Sequence, residues 1–486
     1  MFTRRSISIL MIALLLCVPL FSQNTFFKTY GNSNYNDVGY SVLQTSDNNY
    51  IIAGVSKDNV YLVKADHQGD TLWTKMYGGD GVDVAYSIIE MNSQNLLLSG
   101  YSTARGGLWI ICTNTNGDSL WTKVYNLGSG KSICKTTDGG FVITGTSPDP
   151  GYAHIDPPLG ADTYLLKIDS IGNIDWVKTY DKGGNEEGLC VHQTTDNGFI
   201  ISATTDYQTS SDIWLIKTKM NGDTLWTKIY SNSNWRESGN SICQTNDGGF
   251  FVTGMKTIQS SPGSDLDVNG WLIKTNAIGD TLWTRTIIRS CFDNFYSGMQ
   301  TQDGGYVVAG SSSWGCTNDN IYIVKLNSNG EIQWENQIGN MDNYLIRAYD
   351  LKETSDNGFI ITGIKWHLDS DIDDLCLVKT DSLGQILSSS IENDDFSIVS
   401  DFALSQNFPN PFNGSTTINY TLHRNDHIKI TLYNIAGNKV ASLVDAQQNV
   451  GTYDLSFDSK GLPSGIYLYS LQAGNSVQMK KMILLK

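Results

Sequence analysis

The segment Asp265-Leu-Asp-Val-Asn-Gly270 places oxygen donors at alternate positions ahead of a glycine. Ca2+ needs hard oxygen ligands and a residue free to turn sharply, so Asp265, Asp267 and Asn269 form a candidate calcium loop. The carboxylate that would complete such a loop is replaced by Asn276, and calcium is the one cofactor the sequence raises. Three tryptophans, Trp235, Trp314 and Trp366, fall in polar stretches outside any repeat, where an indole suits stacking on a sugar or on a partner's aromatic patch. Cys291 and Cys316 lie in loops of one repeat and would pair as a disulfide in an oxidising compartment. Catalytic motifs are missing. The histidines form no His-x-His or His-Glu-x-x-His, and Gly-x-Ser-x-Gly does not occur, so no catalytic residue is assigned. Carboxylates are abundant enough to leave a glycosidase pair open as an alternative.

These residues must be held by a scaffold that the sequence spells out repeatedly. A phrase Gly-Asp-Thr-Leu-Trp-Thr-Lys-x-Tyr returns roughly every fifty residues, with Trp73, Trp121, Trp176, Trp226, Trp283 and Trp334 in register. Phe26 holds that place at the start and Ser388 at the end. Between the marks runs Thr-x-Asp-Gly-Gly-Phe-Val-Ile-x-Gly, with its last residue at Gly54, Gly100, Gly145, Ala203, Gly254, Gly310 and Gly363. Two hairpin signals per period, with β-branched and aromatic residues between them, mean four antiparallel strands per unit. Seven such units over residues 23–388 predict an all-β fold, a seven-bladed β-propeller.

The first strand of each unit has small residues at alternate positions (Gly39 and Ser41, Ala85 and Ser87, Gly130 and Ser132). Alternate residues share a face, so crowding toward an axis makes this strand the innermost. The Trp-bearing strand is then outermost, and residues 25–30 form a spare copy that closes the ring. The cadence tryptophans, Trp109, Trp214 and Trp271, and the Asp of each turn read as blade construction. So do the Asp-Thr/Ser-Leu turns at Asp70, Asp118, Asp223 and Asp280. The long segments 146–161, 204–211, 231–238, 255–268, 286–294, 311–319 and 364–373 fall on one face, where a rigid scaffold normally carries binding residues. A second acidic cluster, Asp369, Asp371, Asp373 and Asp374, lies among them.

Residues 1–22 read as a secretory signal peptide: Arg4 and Arg5 precede an apolar run from Ile9 to Leu20, which is too short to favour a spanning helix. No later segment is apolar enough to span a membrane. The whole chain carries a net charge of −16, and loss of the two arginines makes it more acidic. Such a surface excludes nucleic acid as a partner. The remaining cysteines include no Cys-x-x-Cys pair, which argues against structural zinc.

From residue 401 the rhythm stops, after a Ser-rich acidic linker at 389–400. Residues 401–486 read as strands of a small Ig-like β-sandwich. Four ordered motifs stand here: Leu404-Ser-Gln-Asn-Phe-Pro-Asn-Pro-Phe-Asn413, Ile430-Thr-Leu-Tyr-Asn-Ile-Ala-Gly437, Gly461-Leu-Pro-Ser-Gly-Ile-Tyr467 and Lys480-Lys-Met-Ile-Leu-Leu-Lys486. They resemble the C-terminal sorting domain of the type IX secretion system of Bacteroidota. Pro409, Asn410, Pro411, Phe412, Gly437, Gly465, Lys480 and Lys481 carry the likeness. The resemblance implies export across both membranes, the type IX machinery as a partner, and release or attachment at the outer cell surface. The expected function is a secreted or surface propeller that binds a glycan or a surface protein. A polysaccharide hydrolase or lyase with its site at the propeller mouth is the alternative.

Overall fold

The computed structural model describes residues 24–485 apart from 32–34, 93, 148–159, 206–209, 232–234, 260–265, 290–291, 315–317, 340–343, 368–371, 387–401, 423–424, 435–438 and 474–475. The signal peptide, the 389–400 linker, Asp265, Gly437 and the Cys291–Cys316 pairing therefore lie outside the described residues. Seven antiparallel four-stranded sheets follow one another along the first part of the chain. In the first, Asp37–Gln44, Tyr50–Ser56, Asn59–Ala65 and Thr71–Tyr77 pair in order. The last is made of Tyr344–Glu353, Phe359–His367 and Asp373–Thr380, completed by Phe26–Tyr30 from the N-terminus. Phe26 faces Lys379 as Trp73 faces Lys64, so the spare copy closes the ring in the register of the cadence. This is the seven-bladed propeller.

Each junction between blades has its own apolar core, and every one mixes residues from two neighbours. Trp109, Trp214 and Trp271 are buried in three of these cores, as construction residues should be. The cadence tryptophans have a different task. Each lies over the glycine of the outer turn in the next blade: Trp73 over Gly117, Trp121 over Gly172, Trp176 over Gly222, Trp226 over Gly279, Trp283 over Gly330 and Trp334 over Gly384. Phe26 covers Gly69 in the same way. Lysines of the outer strands then pair with the turn aspartates, Lys28 with Asp70, Lys75 with Asp118, Lys178 with Asp223 and Lys228 with Asp280.

Toward the axis the small residues do more than save space. Ser41, Ser87 and Ser132 each accept a hydrogen bond from a backbone N–H of the following blade, at Ile88, Ile133 and Val191. Asp350 does the same for Val42 across the ring closure, at 3.1 Å. At the inner-turn end, Gln44, Glu90, Gln193, Gln244, Gln300 and Glu353 accept from the turn N–H of the preceding blade. At the remaining junction Lys135 donates to the Met91 carbonyl instead.

Within a blade the inner turn is tied to the third strand by an ion pair. Lys64, Lys167, Lys217, Lys274, Lys325 and Lys379 have side chains no more than 8% exposed and reach Asp47, Asp138, Asp196, Asp247, Asp303 and Asp356. In the second blade Cys112 stands at the lysine position, and its sulfur lies 3.6 Å from that of Met91. Burial works against ionising these carboxyls. The turn Thr hydroxyl, the ammonium and a Gly N–H outweigh it and hold Asp138, Asp247 and Asp303 at about 2.

Two expectations are corrected. The described residues of segments 255–268, 311–319 and 364–373 are mostly continued ladder rather than irregular loop, because strands Phe250–Gln259, Tyr306–Trp314 and Phe359–His367 run on past the blade body and pair with their successors. Leu266–Thr275 is likewise a strand, with Asp267 opposite Ile258 and Asn269 opposite Lys256. Gly270 makes no turn in it but packs against Phe295, so the described part of this stretch, 266–270, is strand rather than loop, with Asp265 outside the described residues. In the C-terminal domain Phe402–Leu404, Ser415–Leu422 and Gly451–Asp458 form one sheet. Lys439–Gln448, Asp426–Asn434, Gly465–Ala473 and Ser476–Leu484 form the other, and the two share one core. The sandwich is as expected.

Two outcomes follow from these contacts. An unfolded carboxyl titrates near ~3.9, so the depressed aspartates contribute stability above that value and lose it as pH falls toward 2. Thermal melts at fixed ionic strength should hold level down to about pH 5 and then drop steeply below about pH 4; a melting temperature unchanged at low pH contradicts the pairs. Gly248 and Gly279 share a φ of 81°, but a Cβ on Gly248 meets nothing within 4 Å, whereas one on Gly279 sits 2.9 Å from Trp226. Gly248→Ala should cost only the left-handed penalty, about 1–2 kcal/mol. Gly279→Ala should lose about 1–3 kcal/mol more by crowding the indole, read from denaturant unfolding. Equal losses would rule out the stacking.

Candidate functional site at the axial mouth

The innermost strand of every blade slips register at the same place, between Gly39 and Ser41 in the first blade and Ala348 and Asp350 in the last. The other five slip at the equivalent point. A bulge leaves one residue without a cross-strand partner and re-aims its side chain. The re-aimed residues are Tyr40, Tyr86, Lys131, Leu189, Asn240, Tyr296 and Tyr349. Five of them, Tyr296, Tyr349, Tyr40, Tyr86 and Lys131, meet in succession round the axis, nearer the end that the long segments enter. Tyr296 lies 5.2 Å from Tyr349, Tyr349 lies 5.4 Å from Tyr40, and Tyr40 lies 5.3 Å from Tyr86, ring centre to ring centre. The Lys131 ammonium stands 4.3 Å over the Tyr86 ring.

Charged groups bracket this aromatic arc. At one end Lys131 pairs with Glu187 at 3.2 Å. At the other Arg347 pairs with Asp319 and stacks between Phe292 and Trp366, 5.5 and 4.7 Å from their ring centres. Beneath the tyrosines Asp350 accepts from Ser41, Ser297 and two backbone N–H groups, and pairs with Lys352 at 2.6 Å. Burial pushes the Tyr296 and Tyr349 phenols up, so both stay protonated donors. The only sequence signal for the arc was a large residue, Tyr in four copies, lodged between two alternate positions that are mostly small; a strictly alternating reading passes over it.

Of the residues singled out from sequence, Trp366 joins this site through Arg347. Trp235 is 38% exposed just ahead of the strand Glu237–Gln244 that opens the fifth blade. Trp314 ends the strand Tyr306–Trp314 opposite Asn318, and its side chain lies outside the described set. Asp373 and Asp374 belong to a strand, and Asp374 is bonded to His367 at 2.8 Å. The described cysteines, Cys112, Cys134, Cys190, Cys243 and Cys376, are free thiols, all within strands.

A separate group that sequence spacing did not connect is Asp162, Asp181 and Glu186. Their carboxylates come within 4.8 Å of one another where the third and fourth blades meet, and such oxygens are the donors a divalent cation takes. Burial and the charge of Asp181 raise the Asp162 carboxyl. An open cleft of about 390 Å3, lined in part by Asp181, Lys182 and Trp214, lies alongside.

In the C-terminal domain the proline-rich motif has a structural role. Asn410 accepts from the Ile483 N–H at 2.8 Å and donates to the Lys481 carbonyl. Asn407 donates to the Pro409 carbonyl and to Thr416. Phe412 is buried in the core and bridges to Leu484. Pro409 and Pro411 both follow cis peptide bonds. Gly465 opens a strand, and Lys480 and Lys481 are exposed on the last strand, which lies at the edge of its sheet.

Residues 406–485 match the family described as the secretion system C-terminal sorting domain. No curated protein matches this chain. Among solved structures the chain is similar to the Dos1 propeller, with 9% identity and a TM-score of 0.44 over 74% of this chain and 97% of that one. It is similar to a catalytically inactive virginiamycin B lyase from Staphylococcus aureus, solved with quinupristin, with 10% identity and a TM-score of 0.46 over 73% and 99%. It is also similar to PorZ, a surface component of the type IX secretion system of Porphyromonas gingivalis, with 11% identity and a TM-score of 0.26 over 90% and 69%. No described helix is long and apolar enough to cross a membrane. The C-terminal domain is a type IX secretion system sorting domain, and the propeller that precedes it is its cargo, marked for export to the cell surface or for secretion.

Proposed function

We propose that this protein is an exported binding protein, released or held at the outer cell surface, whose propeller engages a glycan on the face entered by the long segments. The observation that carries the reading is the aromatic and cationic cluster at that end of the axis, with Trp366 half-buried against Arg347 at 4.7 Å and the tyrosine arc behind it. Aromatic faces beside paired polar groups are what a ligand with one apolar and one hydroxylated side requires. A hydrolase or lyase at the same mouth would need a carboxylate free to move a proton. Glu187, Asp319 and Asp350 are each engaged by a cation instead, which favours binding over catalysis. The sorting domain accounts for the route and for contact with the type IX machinery; the acidic chain, net −16, accounts for solubility outside the cell.

The test is a glycan array probed with the wild-type chain and with Trp235→Ala and Trp366→Ala. Trp366→Ala should abolish or sharply reduce the bound signal while thermal unfolding stays close to wild type. Trp235→Ala should reduce it if the ligand extends over the rim. Array signals that survive both substitutions unchanged would refute a glycan site on this face.

A further inference from the structure

We infer that the specificity of this face resides in the axial arc and that its ligand is an uncharged sugar, a pyranose ring of a neutral glycan. The inference rests on the glycan-binding reading above. Its grounds are the composition and charge balance of the ring of bulged residues. Tyr296, Tyr349, Tyr40 and Tyr86 occupy four consecutive blades, and neighbouring rings are 5.2–5.4 Å apart. Their planes are tilted by 37–75° to one another, so they form a curved wall rather than one flat platform. A curved aromatic wall offers ring faces to the C–H side of a single sugar ring.

Charge then decides among hydroxylated, cationic and anionic ligands. Among the described residues beside the arc, the cations Lys131 and Arg347 are each paired with their own carboxylate, Glu187 and Asp319, and Lys352 pairs with Asp350 beneath. The described charges beside the arc are thus balanced, within a chain of net charge −16. A polyanion gains no unpaired cation there and is repelled by the rest of the surface. An organic cation finds one aromatic face already occupied by the chain's own Lys131, 4.3 Å above Tyr86. A vicinal diol fits. Each hydroxyl donates one proton and accepts through its lone pairs, and an ammonium or guanidinium beside a carboxylate presents a donor and an acceptor side by side. The Lys131–Glu187 and Arg347–Asp319 pairs stand at opposite ends of the arc, so a sugar ring stacked near either end has a matching pair for its hydroxyls. The far side of the ring does not compete: Leu189 is apolar, and Asn240 is committed to Asn294 and the Phe295 carbonyl at 2.9 and 2.8 Å.

Isothermal titration of the purified full chain tests this with cellohexaose, maltohexaose and mannohexaose as neutral probes, a chitosan hexamer as the cationic probe and hexagalacturonate as the anionic one. At least one neutral probe should bind, with a Kd insensitive to salt between low and physiological ionic strength. Tyr40→Leu and Tyr349→Leu keep apolar bulk at the bulge but remove the ring faces, and each should weaken that probe about tenfold. Tyr40→Phe and Tyr349→Phe keep the rings and should retain most of the affinity, which separates lost stacking from lost folding. Wild-type chain that binds no neutral probe overturns the glycan reading and this inference together. Neutral binding that is unchanged in both leucine variants leaves glycan binding standing and overturns the arc as its site. Stronger binding of the chitosan hexamer or of hexagalacturonate, fading with salt, overturns the neutral-ligand assignment.

Discussion

Seven sheets converge on one axis, and the space left there governs everything nearer the centre than the hydrophobic junction cores. The innermost strands carry mostly glycine, alanine and serine because the neighbouring blade packs too closely for larger groups. On Gly39 an added Cβ would come within 2.2 Å of the Thr362 hydroxyl oxygen of the last blade. The serines turn this crowding into adhesion by accepting hydrogen bonds from the next blade's backbone. At the same level the strand bulges, and the residue expelled from the ladder is the one that enters the axial mouth. Tight packing and a candidate binding surface thus share one local distortion.

Outward from the axis the junctions are secured differently. Apolar cores fill the middle, and the outer rim is held by tryptophan over glycine and by lysine–aspartate pairs in which both partners are partly solvated. Exposed pairs of this kind contribute little each, roughly 0–1 kcal/mol. The inner-turn lysines are another matter, because their ammonium groups are nearly excluded from solvent. Removing one partner of such a pair is costly, about 3–5 kcal/mol when both groups are buried and less here because the aspartates remain half-exposed. The second blade shows the self-consistent alternative, in which a sulfur pair, Cys112 with Met91, replaces the ion pair outright.

Much of this fold was legible in the residues. The cadence announced the blade count, the outermost strand and the closing role of residues 25–30, because every copy obeyed the same steric rules. The tryptophans of the cadence were rightly set aside as construction, although their stacking on glycines of the neighbouring blade involves residues 44–53 positions away and has no local signature. The candidate site was far less legible. A bulge shifts the alternation by one residue without changing composition, so Tyr40, Tyr86, Tyr296 and Tyr349 fell between the two sets of small residues and went unread. The pattern Asp-x-Asp-x-Asn-Gly suggested an ion loop, but alternation is also the grammar of a strand, and pairing with Phe250–Gln259 prevailed. Asp162, Asp181 and Glu186 converge only when two blades dock.

The C-terminal domain and the propeller divide the work. The first carries an address whose Asn410 and Phe412 pin its opening segment to its last strand; the second carries the surface proposed to read a ligand. The central claim is that the axial tyrosines are that surface. A crystal structure of the chain with a bound neutral oligosaccharide tests it most directly. It should show a sugar ring against Tyr40 and Tyr349, with hydroxyls reaching the Lys131–Glu187 or Arg347–Asp319 pair. A sugar seated on the outer rim or on the inner-turn face, with the arc untouched, would contradict it.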